Sequence, residues 1–118
     1  MTLTDDDLDN ATIDLIFALR DSLTTDGPSR LDFWSGRVTT ALETAAAGSD
    51  NAGQAITTAC RKLQIPTLTT DASRTAHKAA QVIDVDYQRW AEHIARNVIY
   101  IVALANVSRE ARKDRNSK

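Results

Sequence analysis

Two arginines, a histidine and an asparagine stand close together late in the chain, as Arg89, His93, Arg96 and Asn97 of "RWAEHIARNVIYI". On a helix these residues fall within about two turns. Cations suited to a phosphate would then lie beside a side chain whose ordinary pKa is near neutrality. RNA cleavage by 2′-hydroxyl attack needs such a group to move protons. Asp5, Asp6, Asp7 and Asp9 supply carboxylates for a cation but lack the glycine turn and terminal glutamate of a calcium loop. Because they follow Thr4 at the start of a helical pattern, capping and solvation account for them. His77, His93 and Cys60 are the only strong nitrogen or sulfur ligands, and no two lie two to four residues apart. No zinc site, other metal site or cofactor is expected. No glycine-rich loop follows a strand, and nothing in the spacing brings a serine, a histidine and an aspartate together, so no catalytic residue is assigned.

The same stretch resembles the late helix of small all-helical HEPN-type ribonucleases, which carry an arginine, a polar residue and then a histidine after four to six intervening residues. Arg89 and His93 are one residue short of that spacing, and after Arg96-Asn97 the histidine's place is taken by Ile101. The resemblance covers about ten residues and implies a ribonuclease or a degenerate relative of one. An isoleucine cannot transfer protons, so the primary expectation is a non-enzymatic protein with a polar cluster at a helix entrance. Trp34-Ser35-Gly36 matches the Trp-x-Gly signature of small secreted helical-hairpin proteins, in which it forms the turn between two long helices. Here the apolar spacing continues through Gly36, from Leu31 and Trp34 to Val38 and Leu42. A continuous helix with Trp34 in the core is expected instead.

The elements that would position these residues are helices. Only 4 glycines and 2 prolines interrupt 118 residues, enough chain for one core and a single domain over 1–118. A first helix begins behind Thr4, places Leu8, Leu15, Ile16, Leu19 and Leu23 inward, and is stopped by Gly27-Pro28. A second opens with a Ser29–Asp32 capping box and ends at Gly48. A third runs from about Asp50 to Gln64 before Pro66, and a fourth, capped by Thr70 or Asp71, places its alanines and Ile83 inward. A fifth begins near Asp84 or Asp86 and reaches Arg112, about 40 Å. Tyr87, Trp90, Ile94, Val98, Ile101 and Ala105 form its inward stripe, and the run Val98–Ala105 is apolar on all sides, as in a surrounded, central helix. The fold class is therefore all-α, a bundle of about five helices with a long, mostly buried C-terminal helix and a tail frayed from about residue 113.

Charge is uneven along this chain of net charge −2. The first 50 residues hold ten acids against three arginines; the remainder holds eleven Lys/Arg against six acids. Packed helices can complement one another in this way, and antiparallel packing of the first helix on the last would set the two signs at opposite ends. Alternatively Arg89, Arg96, Arg109, Arg112, Lys113 and Arg115, with Arg61, Lys62, Arg74 and Lys78 nearby, could contact backbone phosphates without sequence preference. No aromatic residue is interleaved with these cations, so base stacking is not expected. A single cysteine, Cys60, and an acidic N-terminus without an apolar segment are the pattern of a cytoplasmic protein that is not membrane-bound.

In size, helix count and basic late helices the chain is similar to the small helical subunits of CRISPR effector complexes, a likeness that implies antiviral defence and weak contact with RNA or DNA backbone. The expected role is a binding or assembly subunit with protein partners. A phage or plasmid accessory protein that binds one host protein is a further reading.

Overall fold

The first helix begins where the sequence places it. In the computed structural model, which describes residues 3–22 and 31–116 (side chains at 3–22 and 36–107), α1 spans Asp5–Asp21. The Thr4 hydroxyl accepts from the Asp7 N–H at 3.1 Å, and the Asp7 carboxylate accepts from the Thr4 N–H at 3.0 Å. The Thr4 N–H first, and then the Thr4 hydroxyl, hold the Asp7 carboxyl below the usual carboxylate range. The helix ends at Asp21, short of Gly27-Pro28. Ser22 terminates it, donating its hydroxyl back to the Ala18 carbonyl at 3.0 Å and accepting from the Thr69 N–H at 3.1 Å. Leu23, Gly27-Pro28, the Ser29–Asp32 box and Trp34 lie outside the described side chains.

The remaining helices are α2 (Leu31–Ala47), α3 (Ala52–Lys62), α4 (Thr70–Ile83), α5 (Tyr87–Arg96) and α6 (Val98–Asn116). The described residues form no strand. α2 passes through Gly36 without a turn, as its apolar spacing requires. α3 is capped by Asn51, and α4 by Thr69 in place of the expected Thr70 or Asp71; the two cap side chains accept from the Gln54 and Ala72 N–H groups. Beyond α3, Gln64 adopts φ 59°, and the Ile65 N–H reaches the Cys60 carbonyl at 2.8 Å. This is the left-handed helix stop in which glycine is usual. Asp84, just past α4, accepts from the Ala52 N–H at 2.9 Å and so ties the two helix ends together.

The long C-terminal segment is interrupted at Asn97, which makes six helices of the expected five. Asn97 sits at φ −125°, ψ 26°, and its amide donates to the His93 carbonyl at 2.8 Å. A short polar side chain that satisfies a backbone carbonyl offers the chain an alternative to the helical ladder. Arg89 and Arg96 consequently lie on α5 while Arg109, Arg112, Lys113 and Arg115 lie on α6.

The central helix is α1. It packs against α4 above all, and also meets α2, α5 and α6. Leu8, Ala11, Ile13, Leu15, Ile16, Phe17, Ala18 and Leu19 are buried around most of its circumference. α6 is buried on one face only: Ile101 and Ala105 are inaccessible, whereas Ile99 is 86% exposed and Val107 66%. Periodicity correctly placed Ile101 and Ala105 inward. Burial of the whole Val98–Ala105 run does not occur, because α2 and α1 cover α6 from one side.

Candidate functional site

The last helices present two surfaces of different character: the side of α5 that meets α1, and the outer face of α6. Asp86 caps α5, its carboxylate accepting from the Arg89 N–H at 3.3 Å. This cap sets the helical phase in which Arg89, Trp90 and His93 reach α1. The Trp90 indole N–H donates to the Thr12 hydroxyl at 2.9 Å, and that hydroxyl donates to the Leu8 carbonyl at 2.6 Å. Trp90 is fully buried, so the indole would otherwise carry an unpaired donor into the core. Tyr87, one turn earlier, donates to the Ala46 carbonyl of α2 at 2.6 Å. Burial, then the Asp50 and Asp84 carboxylates, push its phenol up.

His93 Nε2 lies 2.7 Å from an Asp9 carboxylate oxygen, and the two side chains are only 12% and 11% exposed. Arg89 donates to the Leu3 carbonyl and, at 3.3 Å, to Asp5. Asp9 is therefore a buried partner of α5, where helix capping and solvation had been expected for all four acids. Its position was visible in the spacing, three residues before Thr12 and seven before Ile16 on the buried face. The register Asp5–Arg89, Asp9–His93 advances in the same sense along both helices. The acidic start of α1 thus meets Arg89 and His93 of α5 directly, in place of the antiparallel separation of charge.

A carboxylate that orients an imidazole is half of what a general base requires. Here the oriented ring is covered by the two helices it joins, Arg89 faces a carbonyl and Asp5, and the Asn97 amide faces the His93 carbonyl. Of the four residues that resemble a nuclease set, Arg96 alone is exposed and outside any described ion pair. Burial pushes the Cys60 thiol up, away from the reactive thiolate. Among the described residues no three of His, Cys, Asp and Glu gather as a metal site would need. An open groove of about 500 Å³ at the α2–α3 turn is lined by Ser49, Gln54, Thr57 and Arg61 among others, and by no described side chain of α1, α5 or α6.

The outer face of α6 has the opposite character. Ile99, Tyr100, Ala103 and Val107 recur at spacings of three and four, and Ile99, Tyr100 and Val107 are 86%, 52% and 66% exposed. At about 100° per residue they form one stripe opposite Ile101 and Ala105. Sequence reading assigned the apolar residues of this run to the core. The available signal was the second stripe, Ile99–Ala103–Val107, out of phase with Ile101–Ala105. Arg61, Lys62, Arg74 and Lys78 are exposed on α3 and α4. The side chains of Arg109, Arg112, Lys113 and Arg115 lie outside the described residues. No described helix is long and apolar enough to cross a membrane. Comparison with protein-family models, curated proteins and solved structures gives no match.

Proposed function

We propose that this chain is a non-enzymatic binding and assembly subunit that engages a protein partner through the outer face of α6. The observation that carries the reading is the apolar stripe of Ile99, Tyr100 and Val107, exposed on a helix whose other face is already buried. Scattered exposed apolar residues are ordinary, but a contiguous stripe at helical spacing is the form in which one helix meets another. A narrower version places the subunit in a nucleoprotein assembly, where Arg96, Arg109, Arg112, Lys113 and Arg115 add weak contacts to backbone phosphates. Against a ribonuclease stands the covered position of His93 between α1 and α5.

The test has two arms. Purified protein incubated with RNA without metal should give no cleavage; cleavage abolished by His93→Ala with the fold retained would make the enzyme reading correct. Ile99→Asp should leave the helical circular dichroism spectrum intact and remove the chain from the assembly purified from its host. Nucleic-acid binding that falls with salt and survives Ile99→Asp, but is lost on charge reversal at Arg112 and Lys113, would instead make the basic end the working surface.

A further inference from the structure

The cations in the middle of the chain share one outer surface. α3 and α4 are joined by residues 63–69, of which Leu63 and Ile65 are buried, and their far ends are tied by the Ala52 N–H on the Asp84 carboxylate. The two helices therefore lie side by side and antiparallel. Because both rise by about 1.5 Å per residue, Lys62 lies near the height of Arg74, and Thr58 near that of Lys78. Arg74 and Lys78 stand two residues on either side of the buried Ala76, and Arg61 stands two beyond the buried Ala59. At about 100° per residue these three are directed away from the core, and Lys62 is exposed beside them.

Residues 52–83 hold these four cations against one acid, Asp71, a balance of +3 in a chain of net charge −2. None of the four stands in an ion pair among the described residues. Arg61 also lines the open groove at the α2–α3 turn, beside the Ser49 and Thr57 hydroxyls and the Gln54 amide.

We propose that the outer face of the α3–α4 pair binds the phosphate backbone of a nucleic acid. Arg61, Lys62, Arg74 and Lys78 meet the phosphates, and Ser49, Gln54 and Thr57 donate to further phosphate oxygens. These are the side-chain types from which backbone contacts are made. A protein partner would instead favour an apolar centre to its interface. Of the large apolar side chains exposed among the described residues, only Val82 belongs to α3 or α4; it is 36% exposed and lies towards the end opposite Arg61 and Arg74. No aromatic residue occurs in 52–83, so bases are not stacked and binding is independent of sequence. The proposal gives the nucleoprotein form of the assembly reading a described surface and does not depend on α6.

Fluorescence anisotropy of a labelled, mixed-sequence RNA strand with the full chain tests it. Affinity should be micromolar or weaker at physiological salt, and its logarithm should fall with log salt at a slope of about 3, as four neutralised phosphates require. Arg74→Gln with Lys78→Gln should weaken binding about 10-fold or more at low salt and lower the slope by about 1.5, with the circular dichroism spectrum unchanged. Ile99→Asp should bind RNA as wild type does, so that failure of the α6 reading and failure of this one are seen separately. Absence of binding at low salt, or binding indifferent to Arg74→Gln with Lys78→Gln, overturns the proposal. Binding lost instead on charge reversal at Arg112 and Lys113 puts the phosphates at the end of α6 and overturns it as well. If polyglutamate competes as well as RNA at equal charge, the face takes acidic protein and the assignment to phosphate falls.

Discussion

The α1–α5 contact and the outer face of α6 are opposites. At the first, groups that look chemical in the sequence are matched: Asp9 with His93 and Thr12 with Trp90 under cover, and Arg89 with Leu3 and Asp5 at the exposed edge. At the second, groups that look like core are open to solvent. Residue type is thus a poor guide to role when it is read without phase. A polar side chain on the buried stripe of a helix is a structural joint, and an apolar side chain on the open stripe is a surface available to a partner.

The contrast is sharpest between neighbours in α6. Ile101→Asp puts an unpaired carboxylate into a fully buried site at a cost of several kcal/mol, a large part of the ~5–15 kcal/mol that holds a small domain together. It should unfold the protein, seen as loss of helical circular dichroism. Ile99→Asp, two residues away, should change stability by no more than about 0.5 kcal/mol in dilute solution. Equal destabilisation by the two would erase the distinction between the faces.

Next in size is Trp90→Ala, which empties the largest fully buried side chain among the described residues and should cost about 3–5 kcal/mol in urea denaturation. Thr12→Val keeps the volume but leaves the indole N–H without an acceptor, for about 1–3 kcal/mol. Asp9→Ala should cost a similar amount, because His93 loses its partner in a mostly covered site. If Asp9→Ala left stability unchanged while removing a biological activity, the joint would be a functional site after all.

The smallest effect is at the exposed start of α1. The Asp7 carboxyl is held low by the Thr4 N–H and hydroxyl, so its contribution is present above the unfolded-state pKa and is lost as pH falls through the lower folded value. Acid titration of stability should therefore separate wild type from Asp7→Asn at neutral pH and bring the two together in strong acid.

Much of the fold was legible because local signals agreed with the global answer. Thr4 capping, continuity through Gly36, the alanine face of α4 and the inward set Trp90, Ile94, Ile101 and Ala105 all follow from spacing. The break at Asn97 was not legible, because an asparagine within a helical pattern stops it only when its amide finds a carbonyl, here that of His93. The centrality of α1 was hidden because Asp9 and Thr12 sit in its buried arc, and their partners lie some eighty residues away. Of the candidate site, the cluster around His93 could be found, but its burial depended on which helix covered it.

The central claim is that the fold does not need the outer face of α6 and that binding does. Thermal unfolding of wild type and Ile99→Asp in dilute solution, beside recovery of each in the assembly purified from the host, tests it most directly. The two midpoints should agree within about 4 °C, and only wild type should be recovered in the assembly. An Ile99→Asp midpoint depressed as far as that of Ile101→Asp would contradict the account, making residue 99 part of the core.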